Sequence, residues 1–271
     1  MNATTPRAWA ELPVAAARAV LGVLTDIDDT LTTAGAITPD ALAALARLKA
    51  ARVPVIAITG RPMGWSEPFA QPPPRGWPIE AIVAENGAVA LFCNARGELT
   101  IEYAQDEPTR TRNAKRLQDV ARRVLREVPG ATLARDSAGR VTDIAVDHAE
   151  FARLDATQIE QVVALMHAEG MNATVSSIHI NGWFGAHTKL SGARWIVQRL
   201  LGRDLEAERA HWVYVGDSTN DQQMFGHFPL SVGVANLMEF AAQLTVWPAY
   251  LTAGARGAGF AEVASGVLGV R

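Results

Sequence analysis

The stretch VLGVLTDIDDTLTT (residues 20–33) runs through a continuously apolar segment and then places Asp26, Asp28 and Asp29 within four residues. Apolar continuity over 20–25 predicts a strand buried on both faces, as in a parallel sheet covered by helices. In open parallel α/β sheets, ligands bind beyond the carboxyl ends of the strands, where Asp26 stands. Carboxylates crowded there repel one another unless a cation or a proton compensates, so the cluster predicts a bound metal or a raised pKa. Taken alone, the stretch also reads as a polar turn capped by aspartate.

A second stretch repeats the design. In VYVGDSTND (213–221) an apolar strand ends at Gly216, Asp217 stands at its carboxyl end, and Asp221 opens the next segment. If the two strands are neighbours, Asp26, Asp28, Asp217 and Asp221 surround one point. An all-oxygen site without cysteine suits a hard cation, and Mg²⁺ fits best because it binds a few carboxylates and keeps positions for water and phosphate. Asp221 also suits the N-terminus of a helix, where the dipole favours negative charge. In ITGRP (58–62), a strand ends in Thr59 followed by Gly60, a hydroxyl and free backbone N–H groups that can hold phosphate oxygens. In HTKL (187–190), Lys189 precedes an amphipathic helix and would set a positive charge before the aspartates and an anionic substrate.

Working outward, strands at 20–25, 53–58 and 79–84 alternate with a helix begun by Thr38 as cap and Pro39 in the first turn. The proline-rich stretch 67–78 cannot be a regular helix and reads as an ordered surface loop. The alternation resumes with a helix over 190–201, strands over 211–215 and 230–234, and a final helix ending near Leu268. Between the halves the pattern changes to a hairpin over 89–103, a basic helix over 108–126, a second hairpin turning at 137–139, a helix over 156–168 and a single strand over 173–180. Hairpins belong to antiparallel sheet, so this segment reads as an inserted α+β domain. The expected fold is α/β, a Rossmann-like parallel-sheet core made from residues 1–87 and 187–271, with the insert at 88–186.

Composition narrows the partners. The chain has 271 residues, 49% of them hydrophobic, and a formal net charge of -3. That is enough for a sizeable core, and it leaves no basic footprint for nucleic acid or a polybasic membrane patch. The single cysteine, Cys93, cannot form an intramolecular disulfide and reads as a small buried hydrophobe, which suits a reducing compartment. Glu11, Pro13 and Arg18 interrupt the alanine-rich start, a poor signal peptide, and no apolar run is long enough to span a bilayer. Cytoplasmic localisation is expected, with small molecules as partners and a monomer or homodimer as the assembly.

Taken in order, DIDDT, TGR, Lys189 and GDSTND closely resemble the motifs of the haloacid dehalogenase-like phosphatase superfamily, along nearly the whole chain. The insert is similar to the large α/β cap of the type IIB subgroup, which includes Cof-type, sucrose-phosphate, trehalose-phosphate and mannosylphosphoglycerate phosphatases. ENGA (85–88) and VAN (234–236) are further matches, whereas Asp29 stands where many relatives have glycine. The resemblance implies that Asp26 attacks phosphorus and forms an aspartyl-phosphate, while Asp28 acts as acid and then base. It implies Mg²⁺ held by Asp26, the carbonyl of Asp28 and Asp217, with Asp221 and Asn220 ordering waters or Lys189. Thr59, Gly60 and Lys189 would bind the phosphoryl group.

Specificity is expected in the insert. There His179 and Asn181 share a polar face that would offer hydrogen bonds to substrate hydroxyls, and Trp183 would stack on a sugar ring. Arg61 would contact substrate or cap, or form a structural salt bridge. The resemblance implies a Mg²⁺-dependent phosphomonoesterase of a small phosphorylated metabolite, with a sugar phosphate as the expected substrate. The alternatives are a phosphomannomutase-like phosphosugar mutase and a non-catalytic sugar-phosphate-binding protein on the same fold.

Overall fold

The apolar runs of the two chain ends are the parallel strands of one sheet. The computed structural model describes residues 5–72 and 74–269. In chain order its strands are β1 (Arg7–Ala8), β2 (Gly22–Thr25), β3 (Thr32–Thr33), β4 (Ala36–Ile37), β5 (Val55–Ile58), β6 (Ala81–Ala84), β7 (Val89–Cys93), β8 (Leu99–Tyr103), β9 (Thr132–Leu133), β10 (Asp143–Asp147), β11 (Asn172–Val175), β12 (His179–Trp183), β13 (Trp212–Gly216), β14 (Leu230–Gly233) and β15 (Tyr250–Leu251). The helices are α1 (Val14–Arg18), α2 (Pro39–Ala50), α3 (Met63–Ser66), α4 (Glu107–Glu127), α5 (Ala156–Ala168), α6 (Lys189–Leu201), α7 (Gln222–His227) and α8 (Arg256–Leu268).

The core sheet has the order β1-β15-β14-β13-β2-β5-β6-β7-β8. From β1 across to β6 the neighbours in this row are parallel, and β7 and β8 are antiparallel to their neighbours. Successive side chains of a strand point to opposite faces. Val23 and Val55 therefore share a core with Leu45 and Leu48 of α2 and Phe260 and Val263 of α8, while Leu24 and Ile56 share the opposite one with Ile196 and Val197 of α6 and Met224 of α7. Helix α2 begins as expected, with Pro39 in its first turn, but the Thr38 side chain caps no backbone N–H; Asp40 Oδ1 accepts from the Ala41 N–H instead.

Two expectations need correction. The local pattern assigns the hairpin β7–β8 to the insert, yet β7 is hydrogen-bonded to β6, so residues 89–103 extend the core sheet. A hairpin can add to the free edge of a parallel sheet, and that mixed arrangement is what the residues adopt. The single strand expected over 173–180 is two antiparallel strands, β11 and β12, which reverse at 176–178 where the Ser176 N–H donates to the His179 carbonyl.

The inserted domain is a four-stranded antiparallel sheet of order β11-β12-β10-β9. Asp106 caps α4 through the Thr109 N–H, and Asp155 with Gln158 closes a capping box on α5. Val120 and Val124 of α4 and Val162 and Met166 of α5 bury one face of the sheet, against Ile144, Val146 and Ile180. The other face is polar and looks onto the core. The chain enters and leaves this domain side by side, where Gln105 Nε2 donates to the Phe184 carbonyl at 2.7 Å; within the core, Gly87 has φ +106°, and a Cβ there would lie 2.1 Å from the Thr188 carbonyl oxygen. Among the described residues, no helix is long and apolar enough to cross a membrane.

Candidate active site

Register brings the two acidic strand ends together. Strand β2 pairs with β13, with Thr25 opposite Val215, and the Asp26 N–H donates to the Val215 carbonyl at 2.8 Å. One carboxylate oxygen from each of Asp26, Asp217 and Asp221 lies within 4.8 Å of the others, and all three residues are buried. Lys189, at the start of α6, joins them: its Nζ donates to Asp26 Oδ1 at 2.8 Å and to Asp221 Oδ1 at 2.7 Å. Burial alone would lower the Lys189 pKa, but these two carboxylates carry it above its usual range.

The aspartates are not equivalent. Asp221 is saturated: Oδ1 also accepts from the Tyr214 hydroxyl at 2.5 Å, and Oδ2 accepts from the backbone N–H groups of Asp217 and Ser218. Its carboxylate folds back over Gly216, where a Cβ would sit 2.4 Å from Oδ2. Among the described residues, the side chain of Asp217, fully buried, receives only long contacts, from Thr30 Oγ1 at 3.3 Å and Asn236 Nδ2 at 3.5 Å. Burial, then Asp26 and Asp221, push its carboxyl well above the usual carboxylate range. Burial outweighs Lys189 at Asp26 and pushes that carboxyl up to about 7.

A buried, poorly solvated carboxylate beside a second one is costly unless a cation compensates. Asp26 and Asp217 therefore fit a hard divalent ion with oxygen ligands, and Asp221 holds Lys189 and the adjoining turn. Asp28 does not join this cluster through its side chain; the contribution expected of it is its carbonyl.

The Asp28 carboxylate is held by Arg61, whose Nε donates to Oδ1 at 3.0 Å and Oδ2 at 2.9 Å, and whose Nη2 donates to Oδ1 at 2.9 Å. The same guanidinium reaches the inserted domain, at Asp136 (3.2 Å) and Glu150 (2.9 Å). The other oxygen of Glu150 pairs with His179 Nε2 at 2.9 Å. Arg61 is thus the salt bridge that ties core to cap, one of the roles its position allows. Asp28, Arg61, Glu150, Phe151 and Ile178 line a cavity of about 270 Å³.

Of the other expected site residues, Thr59 is buried at the end of β5 and its Oγ1 accepts from the Arg61 N–H at 3.0 Å. The Gly60 carbonyl accepts from Arg140 Nη1 and Asn181 Nδ2. Asn220 Oδ1 accepts from the Ser218 hydroxyl. The polar face of β12 does look at the core, but its groups are spent on the protein: His179 on Glu150, and Asn181 on Gly60 and Asp143. Trp183 is buried, donates Nε1–H to the His187 carbonyl and stacks one side of its ring on His187, so that side of the ring is taken by the protein. Asp29 accepts from Arg256 Nε at 2.9 Å and has a left-handed conformation (φ 52°) that explains why glycine also suits the position.

Several residues of the site carry no role in the sequence reading. Glu85, within the ENGA match, is fully buried and binds Met63 in the core and the N–H groups of Val141 and Thr142 in the cap, with the Thr142 hydroxyl at 2.5 Å. Burial and Asp143 push its carboxyl up to about 7 despite these bonds. Asn236, within the VAN match, donates to the Asp29 carbonyl and accepts from the Arg256 N–H. Arg140, Asp136 and Glu150 carry no local motif, and only their tertiary placement marks them.

Comparison with known proteins supports the resemblance. Residues 23–116 match the family model of haloacid dehalogenase-like hydrolases. No curated protein matches the chain in sequence. Among solved structures, the C-terminal domain of C. albicans trehalose-6-phosphate phosphatase is similar with a TM-score of 0.66 and 16% identity, over 99% of this chain and 99% of that one. The sucrose-phosphatase of Synechocystis sp., solved with sucrose and phosphate, gives 0.62 at 15% identity over 91% and 97%. A sugar phosphatase of haloacid dehalogenase subclass IIB gives 0.60 at 15% over 92% and 99%. Residues 23–116 are thus similar to the haloacid dehalogenase-like hydrolases, and along nearly its whole length the chain shares the fold of these solved sugar-phosphate phosphatases.

Proposed function

We propose that this chain is a Mg²⁺-dependent phosphomonoesterase that acts on a sugar phosphate through an aspartyl-phosphate on Asp26. The observation that carries the reading is the convergence of Asp26, Asp217 and Asp221 within 4.8 Å, with Lys189 bonded to two of them. Sugar phosphates are favoured because the similar structures include a trehalose-6-phosphate phosphatase and a sucrose-phosphatase. Asp26 and Asp217 would hold the ion, which would supply positive charge to align the nucleophile and neutralise phosphate oxygens.

An Asp26 carboxylate oxygen attacks phosphorus, the bond from phosphorus to the ester oxygen breaks, and Asp28, protonated on an oxygen released from Arg61, gives that proton to the departing oxygen. Asp28 then takes a proton from water, whose oxygen attacks the same phosphorus, and the bond to Asp26 breaks to release phosphate. Lys189 and Thr59 stabilise the charge spread over the equatorial oxygens. Arg61 holds the Asp28 carboxylate between the aspartate cluster and the cap. The same reading makes the protein a cytoplasmic monomer or homodimer without nucleic-acid or membrane partners.

The test is phosphate release from a panel of sugar phosphates with Mg²⁺. The unsubstituted protein should turn over at least one of them, and Asp26→Asn should lower the rate by roughly 10⁴-fold or more, as removal of a nucleophile does. If no ester in the panel yields phosphate, the proposal fails. Transfer of the phosphoryl group to a second sugar hydroxyl instead of water would favour a phosphosugar mutase.

A further inference from the structure

A second cavity, of about 420 Å³, lies between core and cap on the Lys189 side of the aspartates. Asn86, Thr188, Lys189 and Asn220 line it from the core, and Thr174 and Trp183 from the cap. Two of these side chains are anomalous: Asn86 Nδ2 and Thr174 Oγ1 are both buried and have no hydrogen-bond partner among the described residues. Buried polar atoms are nearly always paired, so two unpaired ones on facing walls of one cavity mark the place of a missing polar partner.

Asn86 is rigidly placed for that task. Its backbone is left-handed (φ 55°), its N–H donates to the Thr59 carbonyl at 3.0 Å, and its Nδ2 lies 3.4 Å from where a Cβ on Gly60 would be. The amide therefore rests against the same loop that carries the proposed phosphate ligands.

The charge on the walls decides what fits. Lys189 is the charged residue of this cavity, and its ammonium is committed to Asp26 and Asp221. The cavity beside Asp28 sets Asp28, Asp29 and Glu150 against Arg61 alone. Among the described lining residues, neither space offers a permanent cation free for a second phosphate or a carboxylate, His167 of the larger space being an imidazole. We infer that Asn86 and Thr174 are specificity-determining residues that hydrogen-bond the hydroxyls of an uncharged, polyhydroxylated leaving group. The inference rests on the phosphomonoesterase reading and adds the residues that read the substrate and the charge that excludes rivals.

The experiment is steady-state kinetics of the unsubstituted protein, Thr174→Val and Asn86→Gly, which keeps the left-handed backbone permissible, each checked by thermal melting. The substrates are a hexose monophosphate, the matching hexose bisphosphate and p-nitrophenyl phosphate, which has no sugar hydroxyls. The kcat/KM ratio of hexose monophosphate to p-nitrophenyl phosphate should fall about tenfold in each variant, the effect of one lost hydrogen bond. The unsubstituted protein should prefer the monophosphate to the bisphosphate at least tenfold. An unchanged ratio in both variants, or a preference for the bisphosphate, overturns the inference and leaves the phosphatase standing. If neither monophosphate nor p-nitrophenyl phosphate is hydrolysed, the phosphatase reading falls and this inference with it.

Discussion

Replacing Glu150 by glutamine removes one of the two cap carboxylates in the tie that passes through Arg61 to Asp28, the other being Asp136. Glu150 accepts from Arg61 Nη2 and pairs with His179 Nε2, both at 2.9 Å. The His179 hydrogen bond first, then Arg61, hold its carboxyl down from 4.5 to about 2. At about 1.4 kcal/mol per tenfold change in acidity, a fully buried group would contribute about 3 kcal/mol. The Glu150 side chain is 21% exposed, so solvent screening reduces this to about 1–2 kcal/mol.

The sign follows from linkage: a carboxyl held below its unfolded value stabilises the fold above pH 4.5 and loses that contribution as pH falls through about 2. Equilibrium urea unfolding should therefore show Glu150→Gln less stable than the unsubstituted protein by about 1–2 kcal/mol at pH 7, with the gap closing steadily between about pH 4.5 and 2. A gap of equal size at pH 3 and pH 7 would refute the electrostatic account, because a lost packing contact does not titrate.

Two further outcomes concern the buried cluster. Lys189→Met leaves Asp26 and Asp221 buried without their cation and should cost about 3–5 kcal/mol in urea unfolding; adding Asp221→Asn should recover part of the loss. Asp26 and Asp217 have carboxyls raised above the usual range, so the metal-free fold binds more protons than the unfolded chain and loses stability as pH rises from about 4 to 7. Millimolar Mg²⁺ should raise the melting temperature more at pH 8 than at pH 5, and a chelator should abolish the difference; an equal rise at both values would count against these carboxylates as ligands.

The strands of the parallel core are legible because burial on both faces writes an unbroken apolar run, and their acidic ends are legible because charge abutting such a run is costly without a purpose. Asp26, Asp217 and Lys189 meet as the order of the motifs leads one to expect. The hairpin β7–β8 is easily misplaced because its local pattern is the same whether it starts a new sheet or extends an old one. The reversal at 176–178 is hidden because Ser176, Ser177 and Ile178 carry neither glycine nor proline to mark a turn.

The cap face shows the division most clearly. Alternation along β12 correctly sets His179 and Asn181 on the polar side, but it cannot tell a substrate from another protein group as their partner. Arg140, Asp136 and Glu150 meet Arg61 and Gly60 across 75 to 89 residues of sequence, so no local signal announces them. By itself, then, the sequence determined which strand ends carry charge and in what order, since hydrophobic period and local spacing are properties of neighbouring residues. Tertiary structure alone decided that Arg61 joins Asp28 to the cap, that Asp221 is saturated while Asp217 is not, and that Asn86 and Thr174 face one cavity unpaired, because pairing and burial depend on residues brought together from distant parts of the chain.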